Sequence, residues 1–180
     1  MGNRRGRRRR WRLVVGATLI SGAALLCWAH WPTSALPAGT RLDRLVVSKS
    51  QRRLDLMQGG KVVASYPASL GRQPVGAKAS EGDMRTPEGV YRISQHKVDS
   101  TCYRALRISY PSPEQQAAAK AAGRAPGGNI MIHGLKNGWG WLGRCHRWWD
   151  WTAGCVAVTN AEMDLLWDAV ADGTPVELRP

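Results

Sequence analysis

The 180-residue chain contains no phenylalanine, yet it has nine tryptophans. Acid is scarce too: 13 Asp and Glu stand against 26 Lys and Arg, giving a formal net charge of +13. The excess is uneven, because residues 1–12 hold seven arginines and no acid, which leaves the remainder a net +6. A body so modestly basic fits an anionic polymer such as cell wall or nucleic acid, or an ordinary solvated surface. Cysteine occurs four times, as Cys27, Cys102, Cys145 and Cys155. Missing spacers narrow what they do. Cys145 and His146 are adjacent, without the roughly two to four residues between ligands of structural zinc, so no metal is expected to be shared with His133 and Cys155. Leu26 precedes Cys27 where a lipid-attachment box wants a small residue, so lipidation is not expected.

The chain has no long membrane-type run beyond its start. Residues 13–29 form an uncharged, mostly apolar run of 17, with Trp11 on one side and Trp28 and Trp31 on the other. A cleaved signal needs an apolar core of about 7–15 residues and a spanning helix about 17–25, so residues 13–31 read as a transmembrane anchor or a signal segment. The arginines then mark residues 1–12 as cytoplasmic and the rest as exported. That explanation removes the arginine run as a reason to expect nucleic acid, and no nucleic-acid partner is expected. Residues 32–41 read as a linker rich in Pro, Ser and Ala, and residues 42–180 as the folded domain.

From Leu42 the pattern is β-like. Leu45–Ser48, Arg53–Met57 and Val62–Tyr66 alternate around a Gln58-Gly59-Gly60-Lys61 turn and predict an antiparallel meander. Residues 71–89 predict an ordered loop, with Lys78, Glu81, Asp83 and Glu88 as an ion-pair network or as substrate contacts. Val90–Ser94 and Ala105–Tyr110 follow as strands. Ser112-Pro113-Glu114-Gln115 predicts a capped helix closed by Gly123, and Thr159 with Glu162 predicts a second helix with Met163, Leu166, Trp167 and Val170 as its buried stripe. Residues 175–178 read as a last strand.

Chemistry concentrates between Ile130 and Asn160. His133 and Cys155 each border a short apolar run and a loop, so both can face one site from adjacent strand ends. A free thiol has a pKa of about 8.5, and a neighbouring imidazolium can draw it down to roughly 3.5–7.5. Gly154 leaves the backbone uncrowded beside the cysteine, where N–H groups can meet an oxyanion. The other reading of the pair is a buried apolar cysteine and a structural histidine. Trp139, Trp141, Arg144, Arg147, Asp150, Trp151 and Thr152 stand between them and are candidate substrate contacts, since amphipathic indoles suit a glycan- or peptide-binding wall. Cys102 and Cys145 are left as a candidate disulfide or as free thiols.

The strings Ile132-His133-Gly134 and Asp150-Trp151-Thr152-Ala153-Gly154-Cys155-Val156-Ala157 resemble the active-site signature of the L,D-transpeptidase (YkuD) family. Upstream, Gly82-Asp83-Met84-Arg85-Thr86-Pro87-Glu88-Gly89 and Ile108-Ser109-Tyr110-Pro111 extend the likeness. The resemblance implies a mainly β fold, a β-sandwich or partly closed barrel with two short helices. It implies Cys155 as nucleophile, His133 as proton acceptor and donor, the Gly134 carbonyl orienting the imidazole, and N–H groups of Gly154 and Cys155 as the oxyanion hole. It also implies a thioester acyl-enzyme on peptidoglycan stem peptides, formed without a cofactor, in the bacterial cell envelope.

Two positions depart from the family pattern. Ala153 stands where many members carry His, and Ala157 where many carry Arg, so the group that holds a substrate carboxylate is open, with Arg144 and Arg147 as candidates. The Asp-Trp-Thr-x-Gly-Cys version is similar to the YafK-like branch, which leaves open amide hydrolysis releasing a wall-anchored lipoprotein. A catalytically silent wall-binding module is the alternative of another class.

Overall fold

The structure, a computed structural model, describes residues 22, 24–33 and 35–180. The basic segment 1–12 and most of the anchor or signal segment 13–31 lie outside the described residues. Residues 24–29 are helical; among the described residues no helix is long and apolar enough to cross a membrane. The chain divides after Pro32, and Thr33–Pro180 carry the site.

Strands β1 (Arg44–Ser48), β2 (Arg53–Gln58) and β3 (Lys61–Pro67) form the meander that alternation predicted. Leu45 faces Leu56 and Val47 faces Leu54 across β1 and β2, placing four fully buried side chains on one face. Each such aliphatic contributes about 1.5–3 kcal/mol by leaving water. β4 (Gly89–Lys97), β5 (Ala105–Ile108), β6 (Met131–His133) and β7 (Val156–Ala157) continue the chain, and β8 (Pro175–Arg179) ends it. The last strand lies mid-sheet, parallel to β1 and antiparallel to β4, so the order is β3-β2-β1-β8-β4-β5-β6-β7.

The two ends of that order meet. Just beyond β3, Ser69 exchanges backbone hydrogen bonds of 2.9 and 2.8 Å with Ala157 of β7. The fold is therefore one curled sheet, close to the partly closed barrel; a two-sheet sandwich does not form, because β8 joins β1 and β4 in one continuous ladder.

Helix α1 (Pro113–Ala121) starts at the Ser112 capping box, and α2 (Asn160–Ala169) at the Thr159–Glu162 box. Met163, Leu166 and Val170 are buried as the stripe predicted. Trp167 is only half-buried: its ring stands edge-on to His96 at 4.7 Å with Arg104 over its face at 5.3 Å. Gly140–Trp148, read from sequence as loop, coils as 3₁₀ turns broken at Gly143.

Candidate active site

β6 and β7 run parallel, with Ile132 opposite Val156 and His133 opposite Ala157. Extending that register sets Cys155 beside Met131, and side chains two apart on a strand share a face. His133 and Cys155 therefore share one face of the β6–β7 ladder, displaced by about 7 Å along it.

The imidazole is fixed from one side. His133 is buried, and its Nδ1 lies 2.6 Å from the Gly134 carbonyl. A carbonyl can only accept, so Nδ1 carries the hydrogen and Nε2 keeps its lone pair. Burial lowers the pKa of His133, and the Lys136 charge adds to the effect while the Gly134 carbonyl opposes it. A side chain at Gly134 would meet Tyr103 O at 2.7 Å and Asn160 Oδ1 at 2.8 Å, so glycine is what lets β5, β6 and α2 close there.

Cys155 is partly buried and donates to the Asn129 carbonyl at 3.5 Å. Burial pushes its thiol up to about 11, against a lowering contribution from Lys78. Burial of both groups works against a thiolate–imidazolium pair and favours the neutral thiol and imidazole.

Thr152 builds the turn that carries the cysteine. Its hydroxyl accepts from Gly154 N at 3.1 Å and donates to Cys155 O at 2.8 Å. The Gly154 N–H thus points into the turn at Thr152 Oγ1, beside the Cys155 N–H that is the other expected oxyanion donor. Gly154 has φ +131°, and a Cβ there would stand 2.6 Å from Arg85 O. Thr152 is buried and its hydroxyl is doubly engaged, so it shapes the site instead of lining it.

The tryptophan loop is pinned at three points. Ser69 Oγ lies 3.1 Å from His146 Nδ1 and donates to His146 O at 3.0 Å. Asp150 accepts from Leu70 N at 2.9 Å and pairs with Arg52 at 2.9 Å. Arg147 pairs with Glu162 of α2 at 2.5 Å, and both are largely enclosed. Asp150 and Arg147 are thereby each engaged by a protein partner. Trp151 is buried against Leu135 and Ala157, with its ring 5.7 Å from that of His133. Trp139, Trp141, Trp148 and Trp149 are exposed, Trp141 to 67%; Arg144 is half-buried.

Sequence reasoning passed over Lys136 and Asn129 here, and weighed Lys78 and His146 in other roles. Lys136 lies over the rings of Trp139 and Trp151 at 4.9 and 5.8 Å. Lys78 is buried and bound to Asp83 at 2.7 Å, the ion-pair half of the expectation for residues 71–89. Asn129 and His146 complete the set. Of the two passed over, Lys136 left a signal by following Ile132-His133-Gly134 so closely. Cys102 and Cys145 are free thiols: Cys102 faces Lys136 across a β-bridge while Cys145 is buried in the 3₁₀ segment, so the candidate disulfide is not made. Among the described residues no cluster could hold a metal ion.

Residues 42–178 match the family described as YkuD, the L,D-transpeptidase catalytic domain. The chain is 28% identical over 130 residues to a putative L,D-transpeptidase YafK of Escherichia coli, covering 69% of this chain and 45% of that protein. It thus spans about half the length of the curated relatives it matches. Among solved structures, the helical cell shape determining protein Pgp2 of Campylobacter jejuni is similar with a TM-score of 0.59 at 20% identity, over 87% of this chain and 54% of that one. An L,D-transpeptidase of Xylanimonas cellulosilytica aligns with a TM-score of 0.50 at 20% identity, over 81% and 64%.

Proposed function

The chain belongs to the YkuD L,D-transpeptidase catalytic-domain family, and from that premise we propose that it is a cysteine-dependent L,D-transpeptidase acting on peptidoglycan stem peptides. One observation carries the reading: His133 and Cys155 share a face of the β6–β7 ladder, with His133 Nδ1 held by the Gly134 carbonyl so that Nε2 is the free base.

In this reading the substrate carbonyl, that of the third-position diamino acid, displaces Asn129 as neighbour of the thiol. His133 Nε2 takes the sulfur proton as the carbon–sulfur bond forms, and the Cys155 N–H supports the developing oxyanion. Collapse breaks the amide carbon–nitrogen bond, and the imidazolium returns its proton to the departing amine. An acceptor amine then attacks the thioester, His133 removes its proton, and the thiol is restored. These steps use no cofactor. Because the resting groups are neutral, the proton transfer accompanies attack.

The catalytic domain is placed at residues 42–180, after a linker at 32–41. The arginine run 1–12 and the apolar run within 13–31 support export across the inner membrane, with the domain anchored to it or released beyond it. The exposed indoles give a wall on which a glycan or peptide can lie.

The test is mass spectrometry of disaccharide tetrapeptides, and of a tripeptide joined to a lipoprotein-derived C-terminal lysine, incubated with the chain and with Cys155→Ala. Cross-linked dimers or exchanged fourth residues, absent with the variant, are expected. Free tripeptide from the lysine adduct without dimers would instead make it a hydrolase. No Cys155-dependent product from either would remove the enzymatic reading in favour of wall binding.

A further inference from the structure

The backbone around Lys136 is held on three sides. Leu135 N donates to Asn160 Oδ1 at 2.9 Å, Trp139 N donates to Lys136 O at 2.8 Å, and Lys136 bridges Cys102. Its side chain is exposed and folds back over two indoles, Trp139 at 4.9 Å and Trp151 at 5.8 Å, whose rings stand 6.2 Å apart. An ammonium over an indole face is attracted by the ring quadrupole, which limits where a flexible lysine stem goes without neutralising its charge.

Among the described residues no carboxylate pairs with Lys136. Four acids of the domain are engaged elsewhere: Asp150 with Arg52, Glu162 with Arg147, Asp164 with Arg104, and Asp83 with Lys78. Two cationic alternatives are engaged as well. Arg147 faces Glu162, and Lys78 is buried on Asp83. The field of Lys136 reaches His133, whose charged form it disfavours. A cation beside a general base costs basicity, and binding an anion there offsets that cost.

We propose that Lys136, steadied on Trp139 and Trp151, forms a carboxylate-binding subsite for the free α-carboxylate of the residue on the leaving-amine side of the scissile bond. The inference rests on the reading of His133 and Cys155 as the reacting pair and identifies which end of the peptide lies where. The departing amine takes its proton from His133, so its nitrogen must come within about 3 Å of the imidazole. In an α-amino acid the carboxylate is separated from that nitrogen by a single carbon, and it therefore lies on the His133 side of the cleft, where Trp151 and Lys136 stand. A lysine ε-amine as leaving group would carry its carboxylate a whole side chain away. The subsite thus selects stem peptides ending in a free α-amino acid over side-chain-linked lipoprotein adducts. Once the carboxylate is seated, it also cancels the positive field on His133 just as the imidazole must accept a proton.

The experiment compares a tetrapeptide ending in a free carboxylate with the same peptide ending in a carboxamide. Binding to the unreactive full-length Cys155→Ala chain is measured by calorimetry, and turnover by the unaltered chain by mass spectrometry. We expect the acid to bind about five- to tenfold more tightly than the amide, as for one charge-assisted contact at a partly exposed site. Lys136→Met in the Cys155→Ala background should remove that gap while leaving amide affinity unchanged, and Lys136→Arg should keep it. Equal affinity for acid and amide, or a gap that survives Lys136→Met, overturns the subsite. These outcomes stand apart from the enzymatic reading: Cys155-dependent turnover without an acid–amide gap leaves the enzyme and removes the subsite.

Discussion

The indole Nε1 of Trp151 stands 3.4 Å from Nδ1 of the buried His146, and the opposite side of that relay is His133, whose ring lies 5.7 Å from the Trp151 ring. The same Nδ1 lies 3.1 Å from Ser69 Oγ, so one ring nitrogen joins the indole to Ser69, while Nε2 has no partner among the described residues. His146→Phe leaves the indole hydrogen unpaired in a dry place, and about 1–3 kcal/mol of stability should be lost in urea melts. His146→Gln, which can still accept, should retain more than half of that. Because Trp151 walls the imidazole, kcat for Cys155-dependent turnover should fall severalfold in His146→Phe with KM little changed. Equal behaviour of the Phe and Gln variants would show that the contact does not position Trp151.

Gly154→Ala tests the turn. The methyl would meet the Arg85 carbonyl at 2.6 Å, and φ of +131° is a conformation that side chains rarely adopt. A cost of about 1–3 kcal/mol from backbone strain alone is expected, with the clash added. The turn can yield only by displacing Cys155, so labelling by a thiol-selective carbapenem should be abolished even where the variant remains folded by circular dichroism. Retained labelling at the unaltered rate would mean that the turn does not set the sulfur.

Local chemistry made much of this legible in the sequence. Ser112 with Gln115, and Thr159 with Glu162, announced both helices because a capping box is complete within four residues. His133 and Cys155 were legible through the words around them. What escaped depends on pairing between distant segments. β8 reads as a closing strand, yet its mid-sheet place follows from pairing with Leu45 and Val90 far away in sequence. Arg147 and Asp150 looked like cleft residues because they sit among tryptophans; only the approach of Glu162, Arg52 and Leu70 turns them inward. Lys78 beside Cys155 has the same origin, since its loop reaches the site only through tertiary packing.

The resting pair predicts a distinctive pH profile for alkylation. With Cys155 pushed up to about 11 and His133 lowered, the thiolate is a minor species at neutrality. The iodoacetamide rate at Cys155 should climb about tenfold per pH unit from 7 to 9 without a plateau. A plateau near pH 6–7 would instead reveal a preformed ion pair.

Stability should respond to acid through His146. Its folded-state pKa is lowered to about 3, first by burial and then by the Arg147 and His133 charges, from 6.5 when unfolded. A depressed base contributes stability that is fully present above 6.5 and is lost as pH falls from there toward 3, because the unfolded chain takes up the proton first. Urea midpoints should fall between pH 7 and pH 4, and His146→Gln should flatten that fall. An unchanged slope would place the acid sensitivity of that window on His133, the other buried histidine with a lowered pKa, since Asp83 loses its stabilising contribution only below about 3.8.

Arg147 decides between tether and substrate contact. Glu162 is 2% exposed, accepts from Thr159 N and Oγ1 at 2.9 and 2.8 Å, and pairs with Arg147 at 2.5 Å. Removing the arginine strands a carboxylate in the helix cap, where breaking a buried pair costs about 3–5 kcal/mol. Arg147→Ala should therefore lower the melting temperature markedly, whereas Arg147→Ala combined with Glu162→Gln should recover part of the loss, since the amide keeps a cap acceptor without the charge. KM should change little in whichever variant stays folded. The opposite pattern, with stability kept and KM raised for acidic stem peptides alone, would make Arg147 the carboxylate's partner and take that role from Lys136.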